Sequence, residues 1–476
     1  MKHGRKLIGS AALVCLSVAA GRFGGQFAAM AQPGRGGDGV AATDGPDVIV
    51  GALPAFGKYG SVDGIAAYSI ATTSCNIGDE ILLWCDTNVS GLCADDEHPV
   101  IAQNLYRLKD GRFEMIGMSW LKHGFCALAQ TLCGPCTFDP FGCNALGLGC
   151  SDPYSASLNG QQSNLGPRSQ VNASTGIFPY PFSAPAAPVT IGRRLQVAST
   201  DLDPARNSGA LYFGEGHYVT ADDAAAGNDA NNASYRRATV GSFTSGAWTL
   251  AFTGATIQQQ PAIFAWKANG LGAGVPDPNV TITPVDLVED GRFLLGYKVS
   301  DNENGTWHYE FALHNLSSHR SGQSFSVPVP AGVELTNVGQ RMVNHHSGEP
   351  YSADAWTFSN EDGLATWQTQ TFAENTNANA LRWGTLFNFR FDANSPPSEV
   401  LATLGLFRSG TAENPGITTF GPSSLCAAAD LNCDGSVDGE DLGLLLASWG
   451  TTGPGDLNGD GIVDGSDLGE LLAAWS

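Results

Sequence analysis

The densest set of metal-ligating residues lies near the C-terminal end of the chain. Asp430, Asn432, Asp434, Asp438 and Asp441 stand at positions 1, 3, 5, 9 and 12 of a twelve-residue stretch with Gly435 at position 6. The stretch recurs 26 residues later as Asp456, Asn458, Asp460, Asp464 and Asp467 around Gly461. A hard cation such as calcium takes six to eight oxygens, and a glycine at the sixth place permits the turn that gathers them. The first loop would ligate through Asp430, Asn432, Asp434, Asp441 and the Ser436 carbonyl, with Asp438 acting through water. The second would use Asp456, Asn458, Asp460, Asp467 and the Ile462 carbonyl, with Asp464 acting through water. Two calcium sites are therefore expected.

Elsewhere the chemistry is sparser. Glu215 and His217 are two apart in an expected strand, so their side chains share one side of it. Joined by His123, they form a candidate copper or zinc set, since imidazole and carboxylate suit both metals. His308, Glu310 and His314 share the strand face opposite Trp307, Tyr309, Phe311 and Leu313, a face that antiparallel strands ordinarily turn to water. His345-His346 falls in an expected turn. No Gly-x-Ser-x-Gly elbow, phosphate-binding loop or His-Glu-x-x-His helix occurs, which removes the commonest hydrolase and nucleotide-dependent classes. Trp266, Trp307, Trp356, Trp367 and Trp383 could stack on sugar rings, but at strand spacing they read as core.

The loops near the C-terminus must be held by helices. Leu442, Leu445, Leu446 and Trp449 follow the first loop, and Leu468, Leu471, Leu472 and Trp475 follow the second. Each set lies on one helical face, and the two faces are expected to pack together and bury both tryptophans. Residues 426–476 contain ten acidic residues and no Lys or Arg. Their mutual repulsion means that calcium should supply folding energy. With its duplicated loop, Asp at position 12 and Leu-rich helices, this segment resembles a type I dockerin, the calcium-binding tail of many secreted bacterial polysaccharide-degrading proteins. The resemblance covers 51 of 476 residues. It implies attachment to a cohesin-like partner, or to a cell surface or matrix. Positions 10 and 11, where that family commonly carries a Ser/Thr recognition pair, hold Gly439-Glu440 and Gly465-Ser466. Cys426 and Cys433 are expected to pair across the start of the first loop, an addition to the family pattern.

The body reads as β structure. Ile81 to Trp84, Arg112 to Trp120 and Leu211 to Val219 are expected strands, and Asp110-Gly111 is a hairpin turn. Eight cysteines lie between Cys75 and Cys150. Cys133-Gly134-Pro135-Cys136 has the spacing of a zinc or redox motif, while an oxidising compartment favours structural disulfides in any of 105 pairings. Beyond about residue 241, short alternating strands between Gly, Asn, Pro and Ser turns predict an antiparallel sandwich. The expected organisation is a signal peptide (1–31), a flexible leader (32–46), a Cys-rich β domain (47–240), a β-sandwich (241–425) and a small all-α, EF-hand-like tail (426–476).

Composition agrees. Glycine accounts for 60 of 476 residues, nearly twice the usual share of about 7%, which excludes a helical bundle and favours loop-rich β structure. The 24 Lys+Arg against 46 Asp+Glu give a net charge of −22, the wrong sign for a nucleic-acid binder. Lys2, Arg5 and Lys6 precede an apolar run from Leu7 to Ala20 that is too short to span a bilayer. It therefore reads as an export signal cleaved after Ala20 or Ala31. Neither site leaves histidine at the new N-terminus, as a copper polysaccharide monooxygenase would require. The expected protein is secreted and calcium-binding, is held to an extracellular assembly or cell surface, and has a body that binds or processes polysaccharide. The alternatives are a copper- or zinc-dependent extracellular enzyme and a non-catalytic surface protein.

Overall fold

The computed structural model describes residues 43–476 apart from 94–96, 412, 425–426 and 433–434. The expected signal, most of the leader, the Cys426–Cys433 pair and Asp434 lie outside the described residues. The protein is mainly β. An antiparallel sheet runs through strands Ala247–Phe252, Ala233–Thr244, Leu211–Val219, Val100–Lys109, Arg112–Met118, Leu195–Ala198, Ile65–Ile70 and Phe56–Val62, in that spatial order. Its two edges meet. The Tyr68 hydroxyl donates to the Trp248 carbonyl at 2.7 Å, Lys58 Nζ donates to the Thr244 carbonyl at 2.6 Å, and Phe56 stacks on Phe252 at 4.1 Å. The sheet thus curls nearly into a barrel. Asp110 and Gly111 turn one of its two-residue hairpins with φ of 51° and 76°, the left-handed pair that such a turn needs. Strand Ala233–Thr244 crosses residue 240, so this sheet continues past the expected boundary to Phe252.

Pleating gives each barrel strand an inner and an outer side. Leu105, Ile116, Val197 and Tyr212 belong to the inner cluster, whereas Tyr106, Phe113, Met115 and Phe213 pack outward. Two five-stranded antiparallel sheets stack beyond that outer side. The middle one comprises Thr281–Leu287, Gly291–Asp301, Trp307–Asn315, Thr385–Ala393 and Leu335–Met342. The outer one comprises Thr357–Glu361, Leu364–Gln368, Gly322–Pro328, Pro397–Leu406 and Gly416–Pro422. Phe311, Phe325, Trp367, Phe389 and Phe391 fill the space between them with ring contacts of 5.2 to 6.4 Å.

The sandwich expectation is met only in part, because the middle sheet is covered on both sides. Asn388 Nδ2 donates to the Phe113 carbonyl at 2.8 Å, and Arg112 Nε meets Glu310 Oε2 at 3.0 Å. Glu310 and His314, expected to face water, are therefore 2% and 1% exposed. Trp266, Trp356, Trp367 and Trp383 are buried core residues, and Trp307 packs half-buried against the core. Only Trp307 and Trp367 lie in strands, with Trp266 in helix Phe264–Asn269 and Trp356 and Trp383 in connections, so strand spacing is not the reason for their burial.

Four disulfides, Cys75–Cys133, Cys85–Cys93, Cys126–Cys143 and Cys136–Cys150, hold the irregular segment beside the barrel. Cys133 and Cys136 each pair outside their own motif, so neither is left for zinc or dithiol chemistry. Such bridges belong to an oxidising compartment. Among the described residues no helix is long and apolar enough to cross a membrane.

Candidate functional site

A cleft lies beside the stapled segment. It encloses about 350 Å³, with Leu83, Glu97, His98, Phe178, Thr220 and Asp222 on its walls. The loop closed by Cys85–Cys93 presents the Cys85 carbonyl, which bonds His98 Nδ1 at 2.9 Å. That carbonyl can only accept, so the His98 proton sits on Nδ1 and Nε2 is left as an acceptor. His98 Nε2 lies 2.9 Å from His123 Nδ1, which therefore donates and leaves the lone pair of the pair's far end on His123 Nε2. Both rings are buried among Phe178 and Tyr180, with Phe125 against His98 and Phe182 against His123. Burial pushes their pKa values down to about 4 for His98 and about 3 for His123, so both rings are neutral at pH 7. Gly166 is required here, because a Cβ would come within 2.5 Å of His123 Nε2 and 3.0 Å of the Phe182 ring.

The opposite wall begins at the short helix Ala221–Ala226, capped by Thr220. Asp222 accepts from the Leu83 N–H at 2.8 Å and from the Thr220 hydroxyl. Burial raises its pKa despite these bonds. The cleft thus sets the Phe178 and His98 rings against the Glu97 and Asp222 carboxyl groups.

The candidate transition-metal set is not assembled. Among the described residues no three His, Cys, Asp or Glu side chains gather as metal ligands, and His123 pairs with His98 rather than with Glu215 or His217. Glu215 and His217 do share one side of strand Leu211–Val219, but that side lies under the middle sheet. The Glu215 carboxylate accepts from the Ala262 N–H at 2.6 Å, Asn104 Nδ2 at 2.8 Å and the Tyr106 hydroxyl at 2.9 Å. His217 packs edge-on against Trp383 at 6.1 Å. Burial, then the nearby Arg168 charge, push its pKa down to about 3. These residues belong to a polar seam between layers, organised by Arg168. Its guanidinium donates to Asn104 Oδ1 at 2.7 Å and to the Ser119, Gly384 and Gln103 carbonyls. Glu349 accepts from the Arg168 and Ser169 N–H groups. His345 lies in the same seam, with Nε2 buried and unbonded.

The chain matches no known protein-family model, and no curated protein is significantly similar to it.

The two C-terminal loops repeat each other bond for bond at their ends. Asp441 Oδ1 accepts from the Leu431 and Asn432 N–H groups at 2.6 and 3.0 Å, and Oδ2 accepts from Asp438 at 2.9 Å. Asp467 does the same with Leu457, Asn458 and Asp464 at 2.7, 3.1 and 2.8 Å. The Gly435 N–H bonds Asp430 and the Gly461 N–H bonds Asp456, each at 2.9 Å, with both glycines at positive φ. Asp438 and Asp464 cap helices Gly439–Ala447 and Gly465–Ala473. Val437 and Val463, at position 8, are buried, and each bonds the segment after the other loop's helix, Val463 to Gly450 and Thr451 and Val437 to Ser476.

The expected burial of both tryptophans is corrected. Leu445 and Leu471 fill the small core, with Leu442 and Leu468 packed against it. Leu446, Trp449, Leu472 and Trp475 remain 45 to 52% exposed. Helices of nine residues turn only part of a four-residue apolar face toward one another. Sequence reasoning missed His98, Asp222 and Arg168. His98 and His123 are 25 residues apart with no shared motif, and only the disulfide positions hinted that their region was fixed.

Proposed function

We propose that this protein is an extracellular attachment protein, with a calcium-loaded, dockerin-like tail and a body that takes carbohydrate in the His98 cleft. The observation that carries the reading is the duplicated loop. In each, the position-12 aspartate gathers three N–H groups and the position-6 glycine has positive φ. In the sequence the remaining carboxyl and amide residues fall at positions 1, 3, 5 and 9, the spacing a hard cation uses. Calcium would be held by Asp430, Asn432, Asp434, Asp441 and the Ser436 carbonyl in the first loop. In the second it would be held by Asp456, Asn458, Asp460, Asp467 and the Ile462 carbonyl, with Asp438 and Asp464 through water. Its contribution is to neutralise carboxylates that otherwise repel one another and so to let the two short helices form as an all-α module.

Attachment is supported by the exposed pairs Leu446/Trp449 and Leu472/Trp475, which present the same apolar contact twice. Large exposed apolar side chains clustered in this way mark partner surfaces. The partner is a cohesin-like protein or a component of the cell surface or matrix. Carbohydrate binding is supported by the aromatic and carboxylate walls of the cleft, and the four disulfides fit an extracellular location. The test is calcium titration of the full chain with helix content and limited proteolysis as readouts, followed by glycan-array binding. Calcium-dependent protection of residues 427–476 together with a glycan signal supports the reading. Equal proteolysis of the tail with and without chelator removes the calcium assignment, and silence on plant, algal and microbial glycans removes the carbohydrate assignment.

A further inference from the structure

We infer that Asp47, Asp223, Asn231 and Asn232 form a calcium site inside the body, separate from the two C-terminal loops. Asp47 immediately precedes strand Val48–Ala52, Asp223 lies in helix Ala221–Ala226, and the two asparagines lead into strand Ala233–Thr244. The fold brings them together by direct bonds. Asp223 Oδ1 accepts from the Val48 N–H at 2.8 Å, Asp223 Oδ2 accepts from Asn232 Nδ2 at 2.7 Å, and Asp47 Oδ2 accepts from Asn231 Nδ2 at 3.2 Å.

Two features separate this group from an ordinary acidic cluster. The first is depth without a counter-charge. Asp47 and Asp223 are both 0% exposed, and among the described residues neither forms an ion pair with Lys, Arg or His. Two buried carboxylates without a cation are costly to keep ionised. Burial pushes the Asp223 carboxyl well up, and the neighbouring Asp47 and Asp222 charges push it further. The second is a set of orphaned oxygens. Asn231 Oδ1, Asn232 Oδ1 and Asp47 Oδ1 are buried with no hydrogen-bond partner, and Asn232 is itself 1% exposed. Buried oxygens are rarely left unpaired, and here the unpaired atoms are all acceptors.

The donor set selects the ion. It contains two carboxylates and two amide oxygens, with no sulfur or imidazole, which suits a hard divalent cation and not copper or zinc. Two negative charges balance one calcium ion. Binding would clamp the strand, the helix and the asparagine turn together, and that helix carries Asp222 on the wall of the cleft.

The experiment uses the full chain with its C-terminal loops disabled by Asp441→Ala and Asp467→Ala, and counts calcium after equilibrium dialysis. The inference expects one ion per chain in this background and none after adding Asp223→Asn. Retention of no ion in the background, or of an unchanged count after Asp223→Asn, overturns it. Should Asp223→Asn fail to fold, Asn232→Asp decides. An added ligand charge should tighten calcium binding about tenfold and make the melting temperature rise with calcium. A third buried carboxylate with no ion to bind would instead destabilise the chain equally at every calcium concentration, and that result also overturns the inference. Failure of the loop assignment appears separately, as an unmodified chain that holds one ion and loses it through Asp223→Asn.

Discussion

Glu215 in the body and Asp467 near the C-terminus each accept three hydrogen bonds, yet they are driven in opposite directions. The backbone N–H groups of Asp464, Asn458 and Leu457 hold Asp467 below the ordinary carboxylate range. Glu215 has the Ala262 N–H, Asn104 and Tyr106, but burial raises it above that range. The number of donors does not decide the sign. Both side chains are out of solvent, but Asp467 sits in a small two-helix segment where its backbone donors outweigh the cost of burial, whereas Glu215 lies between two sheets and burial outweighs its donors. One carboxylate closes a loop through backbone N–H groups, and the other ties strands together.

The largest expected effect separates the two regions outright. Chelating calcium from the full chain should abolish the helical signal of residues 427–476 and open them to protease, while the near-ultraviolet spectrum of the body persists. Simultaneous loss of both would show that the regions fold as one unit. Next comes Glu215→Ala, which strands three donors under the middle sheet and should lower the body's unfolding free energy by about 3–5 kcal/mol in urea titration. Asp467→Ala should leave that value unchanged and remove calcium from its own loop, read as one ion fewer in calcium titration.

A smaller effect, resolved by pH, sharpens the contrast within the body. The folded pKa of His98 is about 4, below the ordinary 6.5. The unfolded chain therefore takes up its proton first, and this contribution to stability is full above pH 6.5 and is lost as pH falls toward 4. Asp152 runs the other way. Burial raises it from 3.8 to about 6, so the folded chain holds a proton that the unfolded chain releases, and its contribution is lost as pH rises from 3.8 to 6. Relative to wild type, His98→Gln should lose stability and Asp152→Asn gain it as pH is raised through these windows, each by up to about 1.4 kcal/mol per pH unit. Parallel slopes in the two variants would contradict the assignment of these shifts to burial.

The smallest expected effect on stability is that of Trp449→Ala with Trp475→Ala. Both side chains are exposed, so the melting temperature of the calcium-loaded chain should change little, within about 0.5 kcal/mol, while retention on a cell-envelope or matrix fraction is lost. Trp367→Ala, in the core between sheets, should cost about 3–5 kcal/mol instead.

Much of the local structure was legible in the residues. Leu211–Val219 is a strand with the expected bounds, Asp110-Gly111 turns a hairpin, and Tyr309, Phe311 and Leu313 form one buried face. The layer on the opposite face was not legible. His308, Glu310 and His314 alternate with apolar residues as they would on a wet surface, but Arg112, nearly two hundred residues earlier, reaches Glu310 from the barrel. The His98–His123 pair was hidden for the same reason, since nothing in either residue's neighbourhood names the other.

Local order along the chain determined the strands, the turns, the disulfide-rich segment and the twelve-residue spacing of oxygen donors, because pleating, left-handed turns and loop hydrogen bonds act over a few residues. Only the tertiary structure decided which strand faces stay wet, which histidines meet and which carboxylates are forced toward neutrality. Those outcomes depend on desolvation by surfaces that come from distant parts of the sequence, and desolvation leaves no mark on the residues that undergo it.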